Sequence, residues 1–264
     1  MLSNYIKTAL RSIKNDKQHF FLNLIGFSIG IAAATLMALF AQYELSYDKF
    51  QPDSKRVYLA HTDYSSVGLQ MIASSSYGNA ETLKNHSQIE DIFRLAEAGQ
   101  LSEGGDELVQ LGDNYFRLNK FYAATSNILD FIHLETVAGD ITQALSRPNQ
   151  LVLSEREANR LFGSTQVIGE KLATEQGQYS VGAVFKDLPE NTHVAFDSLV
   201  QMPAQYVQNG FGFAYFKVVE SADIGNLERE FTNVMHQAQG ERANKAIIAK
   251  LINIEDMHLE GKGP

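Results

Sequence analysis

The sequence has 264 residues, 44% of them apolar, no cysteine and a net charge of −9. That length holds one or two folded domains, and the missing cysteine excludes disulfides, thiolate zinc sites and a cysteine nucleophile. Residues 1–18 carry +3, residues 19–43 carry no charge and residues 44–264 carry −12, so nucleic acid is excluded as a partner, because phosphate neutralisation needs a basic face.

The first element is basic. Lys7, Arg11, Lys14 and Lys17 precede the apolar run. Tyr5, Ile6, Ala9, Leu10 and Ile13 share one helical face and the cations another. This pattern predicts an amphipathic basic segment over 1–18 on the cytoplasmic membrane surface. A plain basic flank that sets topology explains the same charges.

Gln18–Tyr43 is 26 residues without a formal charge. As a helix it spans about 39 Å, against about 30 Å of hydrocarbon. A transmembrane helix is therefore predicted over 19–43. A cleaved signal would have a shorter apolar run ending at a small-x-small site. A buried soluble helix of this length would carry charge on one side. The positive-inside bias places the N-terminus in the cytoplasm and residues 44–264 in the periplasm or outside the cell, with the helix in the inner membrane. Within the helix Gly26, Gly30, Ala34 and Ala38 recur every four residues. Such a small-residue ridge lets another backbone approach and points to packing against further transmembrane helices. Gly and Ala are also simply frequent in membrane helices.

Past the membrane the helix is expected to continue towards Phe50 and stop before Pro52. Strands are predicted at 56–61, 91–98, 107–111 and 115–123, with a helix over 74–85. Ala138-Gly139-Asp140 reads as a turn and 150–153 as a strand. Ser154-Glu155-Arg156-Glu157 reads as a capping box opening a helix that ends at Gly163. Strands follow at 170–174 and 179–185 about a turn at Gly177. After the loop 187–193 come strands at 195–202 and 213–219, a helix over 223–239 and a strand-like run at 246–254. The interleaving predicts a mixed α+β domain of two lobes after one N-terminal transmembrane helix.

Catalytic motifs are missing. Gly163–Lys171 has five residues between its glycines and Glu170 after the second, which fails the phosphate-loop pattern. His193 near Asp187 and Glu190 is the best metal candidate, but it lacks a helix-spaced partner. Ser154 is a cap without a nucleophile elbow. No catalytic, cofactor-binding or metal residue is assigned and no cofactor is expected.

Several segments in order resemble a known family: Gly26-Phe27-Ser28-Ile29-Gly30-Ile31, Glu44-Leu45-Ser46-Tyr47-Asp48-Lys49-Phe50, Arg56-Val57-Tyr58, Ala138-Gly139-Asp140, Leu151-Val152-Leu153-Ser154-Glu155, Leu161-Phe162-Gly163 and Met257-His258-Leu259. The most specific is the loop Asp187, Leu188, Pro189, Glu190, Asn191, Thr192, His193, led by Lys186. Together they resemble the N-terminal half of ABC-transporter permeases of the MacB/FtsX type, with a MacB-like periplasmic core domain over 44–264. The resemblance implies a permease subunit without its own ATPase. It also implies a separate cytoplasmic ATP-binding subunit, other transmembrane helices or a second permease half, contact with membrane lipid, and a periplasmic protein partner. Members of the family continue into further transmembrane helices. The alternative is a single-pass anchored periplasmic binding or sensor module.

Overall fold

Helix α1 runs from Lys17 to Glu44 and is apolar on every side. The computed structural model describes residues 16–101, 107–175, 177–240 and 244–260, with Tyr5, Lys7, Thr8, Arg11, Lys14 and Asn15 ahead of them. Asp16 caps α1 by accepting the His19 N–H at 3.3 Å, and Ser28 Oγ returns its proton to Leu24 O at 2.7 Å. The mean hydropathy of its apolar window is 2.2, and none of it is buried against the rest of the chain. This one helix is long and apolar enough to cross a membrane. Of the amphipathic segment, Lys7, Arg11 and Lys14 are exposed and helical, while Ile6, Ala9, Leu10 and Ile13 lie outside the described residues.

The helix does not run on to Phe50. Leu45 N and Ser46 N turn back to Ala41 O and Tyr43 O, each at 3.0 Å, and Asp48 takes φ +56°. A left-handed residue cannot propagate a right-handed helix. The chain divides into two compact units, Met1–Ser46 and Tyr47–Pro264.

The second unit is mixed α+β. Its strands are β1 (Val57–Asp63), β2 (Ser75–Ser76), β3 (Ile89–Glu97), β4 (Leu108–Leu111), β5 (Asn114–Arg117), β6 (Phe121–Ala124) and β7 (Thr136–Gly139). They continue with β8 (Gln150–Ser154), β9 (Lys171–Thr174), β10 (Gly177–Phe185), β11 (Ser198–Gln201), β12 (Phe211–Val218) and β13 (Ile248–Asn253). The sheet order is β13-β1-β12-β3-β6-β11-β8-β10-β9-β4-β5, with β2 beside β12 and β7 beside β10. Most pairs are antiparallel, but β6–β11 and β8–β10 are parallel.

Helices α2 (Tyr77–Thr82), α3 (Ile141–Leu145), α4 (Glu155–Phe162), α5 (Ala204–Asn209), α6 (Ile224–Gln239) and α7 (Met257–Glu260) flank the strands. One core cluster includes Phe216, Leu227 and Phe231 and gathers α2, α4 and α6. The other includes Phe93, Phe131, Tyr215 and Phe196 and gathers α3 and the loop before β11. The free edge of β13 is closed by α6, since Thr232 Oγ1 accepts from Ala249 N at 2.9 Å and Glu228 Oε1 from Leu251 N at 3.0 Å. Capping those donors with side chains blocks pairing with another chain.

Two predicted strands are shorter or broken. Residues 115–123 split into β5 and β6, because Lys120 takes φ +38° and Leu118 N turns to Glu107 O at 2.7 Å. Of 195–202 only Ser198–Gln201 pairs, because Val194 and Phe196 are spent covering the sheet. The capping box is half made. Ser154 Oγ accepts from Glu157 N at 3.1 Å, but the Glu157 carboxylate turns inward to Asn119 N and Nδ2, both at 3.0 Å. Ser154→Ala should therefore cost about 1 kcal/mol, the usual value of a lost cap, read from chemical unfolding.

Candidate functional site

The residues that follow α1 are held by a network of buried polar groups. Asp48 is fully buried. Its N–H donates to Asn191 O at 3.1 Å. Its carboxylate accepts Thr192 Oγ1 at 2.7 Å and His193 N at 2.9 Å. An ionised carboxylate is acceptor-only and costs several kcal/mol to bury unless its lone pairs are met, so this turn is fixed to the loop that receives it. Those bonds also hold a non-glycine residue at φ +56°, a region that tolerates Asp better than most side chains.

His193 extends the network. Its Nδ1 lies 2.9 Å from Asp48 Oδ1, though off the line of a hydrogen bond. Its Nε2 lies 3.1 Å from the Tyr215 hydroxyl. An acceptor-only carboxylate beside Nδ1 favours the tautomer protonated there, and Nε2 then accepts from Tyr215. Burial pushes the Tyr215 hydroxyl well above its ordinary pKa, with the Asp48 charge adding to the shift. Tyr215 stays a donor at every physiological pH.

Gln51 bonds on both sides of the same turn. Its Nε2 donates to Thr192 Oγ1 at 3.2 Å, and its Oε1 accepts from His133 N at 2.7 Å. The C-terminal segment closes on the same place. The Tyr47 ring stacks on His258 with centroids 3.5 Å apart and planes 2° apart. Ser54 Oγ donates to Glu255 Oε1 at 2.6 Å, and Asn253 Nδ2 donates to Ser54 O and Val57 O. Three segments distant in sequence, 47–57, 191–193 and 253–258, are thus bonded into one joint.

The predicted residues distribute unevenly about it. Asn191, Thr192 and His193 are in the joint. Asp187 instead accepts from Arg156 N at 2.9 Å at the start of α4. Leu188 packs on the second core cluster, and Pro189 and Glu190 are exposed. His193 meets Asp48 rather than Asp187 and Glu190, and among the described residues no group of three metal-ligating side chains converges. Gly26, Gly30, Ala34 and Ala38 all lie exposed on α1, and a Cβ placed on Gly26 or Gly30 would meet nothing within 4 Å. Lys17 is exposed at the start of α1. The sequence reading picked out the Tyr47-Asp48 and Asn191-Thr192-His193 segments separately but missed that they bond to each other, and it missed Gln51 and Tyr215 altogether.

Comparisons with known proteins agree with this architecture. No curated protein matches the sequence. Residues 20–234 match the family described as MacB-like periplasmic core domain. A domain of a permease protein from Porphyromonas gingivalis superposes with TM-score 0.62 at 22% identity, covering 77% of this chain and 92% of that one. The periplasmic region of MacB from Actinobacillus actinomycetemcomitans superposes with TM-score 0.52 at 12% identity, covering 79% and 92%. The extracellular domain of the noncanonic ABC-type transporter YknZ from Gram-positive bacteria gives 0.52 at 13%, covering 75% and 99%. At these identities the structures share a fold with this chain. The match over residues 20–234 covers most of the sequence, and the chain therefore belongs to the MacB-like periplasmic core domain family of ABC-transporter permeases.

Proposed function

We propose that this chain is the N-terminal part of a permease subunit that transmits ATP-driven movement of membrane helices to an outer domain. In this reading ATP hydrolysis belongs to a partner subunit and not to this chain. Permeases of this kind work with a cytoplasmic ATP-binding subunit, and that subunit is the proposed partner on the side of Lys7, Arg11, Lys14 and Lys17. The N-terminus is then cytoplasmic, the helix crosses the inner membrane and the domain lies in the periplasm. Gly26, Gly30, Ala34 and Ala38 form the face that meets other transmembrane helices or a second permease half.

The observation that carries this reading is the joint. Asp48 sits four residues after the last helical residue and is bonded to the domain through Asn191, Thr192 and His193. A displacement that reaches Tyr47 and Asp48 is passed to the 187–193 loop through these bonds. Two arrangements of the helix would then be two arrangements of the outer domain.

The test is Gly30→Leu in the complete protein with its ATP-binding partner. The added side chain blocks close helix approach without touching the outer domain. ATP hydrolysis is expected to continue, with transport or signalling output falling about tenfold or more, equivalent to about 1.4 kcal/mol of lost coupling. Expression should be unchanged. Normal output from the variant would refute the role of the ridge.

A further inference from the structure

At the end of the sheet where the chain enters the domain, Asp53, Ser54, Lys55, Arg56 and Glu220 line an open cavity of about 470 Å³. Part of its charge is spent internally. Asp53 pairs with Arg56 at 2.9 Å and with Lys217 at 2.5 Å, and Arg56 pairs with Glu90 at 2.5 Å. Hydrogen bonds from Lys217 and Arg56 hold the Asp53 carboxyl below its usual range, and the Asp53 carboxylate raises the Arg56 guanidinium further. Asp53 and Arg56 therefore stay charged throughout physiological pH.

Two charges on the same wall are left over. Lys55 and Glu220 are exposed, and among the described residues neither has an ion-pair partner. They come from different elements, Lys55 from the turn before β1 and Glu220 from the turn after β12. An unspent cation and an unspent anion beside one cavity match a ligand that carries both signs. Its size sits in the range of small-ligand sites. It suits a polar head and not an acyl chain, because among the described residues no large apolar side chain lines it.

We infer that this cavity binds the zwitterionic head of a phosphoethanolamine-type lipid, with the phosphate on Lys55 and the rim of Arg56 and the ammonium on Glu220. The lipid source follows from position. Asp53 comes nine residues after Glu44, the last residue of α1, a stretch that reaches no more than about 30 Å when fully extended. Between them Lys49 and Phe50 are exposed, a cation and an apolar ring of the types that segments lying on a membrane surface use. Glu220 supplies the selectivity. An ammonium offers three N–H donors to a carboxylate, a choline head offers none, and a glycerol head has no cation. The inference rests on the reading that α1 lies in a membrane.

The test uses the full chain in detergent, given equal amounts of phosphatidylethanolamine, phosphatidylcholine and phosphatidylglycerol with the same acyl chains, and reads retained lipid by native mass spectrometry. The ethanolamine lipid is expected to be retained about fivefold over the choline lipid, as one partly exposed ion pair allows. Lys55→Ala and Glu220→Gln should each abolish that preference, and Glu220→Lys should shift it to the glycerol lipid. Both side chains are exposed and unbonded, so an unchanged melting temperature is expected for every variant. A second arm titrates O-phosphoethanolamine into the lipid-free chain. Binding lost in both variants supports the cavity even if the chain proves soluble without detergent, which would sink the membrane reading alone. Equal retention of the three lipids alongside O-phosphoethanolamine binding would overturn the lipid source. Equal retention without such binding, or a preference untouched by the variants, would overturn the site.

Discussion

Asp48→Ala is expected to lower the unfolding free energy of the second unit by about 3–5 kcal/mol, because the donors that reach its buried carboxylate lose their acceptor. The substitution strands the Thr192 hydroxyl and the His193 N–H, which now donate to Asp48, and each buried donor left unmet costs about 1–3 kcal/mol. Alanine is also poorer than Asp at the observed φ of +56°. For a domain of this size the melting temperature should fall by about 10 °C, taking 2–4 °C per kcal/mol. Asp48→Asn keeps the turn, because Asn tolerates the left-handed region, but its amide presents a donor where two donors already converge. A loss of about 1–2 kcal/mol is expected, between wild type and Ala. Thermal and urea unfolding of the full chain in detergent provide the comparison. If Ala and wild type melt together, the joint contributes nothing to the fold. Under the proposed role, Asp48→Asn in the complete protein should reduce output more than it reduces ATP hydrolysis, because the joint is loosened while the domain survives.

Gly139→Ala is the second large effect. Gly139 closes β7 at φ +75°, opposite Ala183 in β10. A Cβ there would lie 2.2 Å from Gly182 O and 2.9 Å from Ala183 Cα. Both are backbone atoms of a paired central strand, so neither can swing aside. Left-handed strain costs about 1–2 kcal/mol and overpacking about 1–3 kcal/mol more, so a total of about 2–5 kcal/mol is expected, with low yield of folded protein. Gly163 provides the control. It has φ +71° at the end of α4, yet nothing lies within 4 Å of its Cβ position. Gly163→Ala should show only the strain, about 1–2 kcal/mol. Equal effects at the two sites would mean that the close approach at Gly139 is not limiting.

Much of the fold was legible because its signals are local. An uncharged run gave α1, short strand-like runs between turn signals gave β1, β3, β8, β10 and β12, and the Ser154 and Gly163 caps bounded α4. The errors fall where long-range contacts decide. Nothing in Glu44–Phe50 announces that helical geometry stops at Glu44, because what bends the chain is a bond from Asp48 to residue 191. Glu157 looked like a capping residue, but Asn119 and Arg160 claim its carboxylate. The site was half legible for the same reason. The resemblance to a family marked Tyr47-Asp48 and Asn191-Thr192-His193 as special, yet spacing along the chain carries no trace that they touch. Tyr215 read as one aromatic in a strand, and only the fold puts its hydroxyl against an imidazole.

Tyr47 and His258 lie side by side, and the strands that follow and precede them, β1 and β13, pair antiparallel. A pull that parts Tyr47 from His258 would break the ring stack and then open the ladder from Tyr58↔Asn253 towards Asp63↔Ile248, rung after rung. Sliding one strand lengthwise past the other would have to rupture all of those rungs at once. The second unit is thus soft to parting of Tyr47 from His258 and stiff to sliding of β1 along β13.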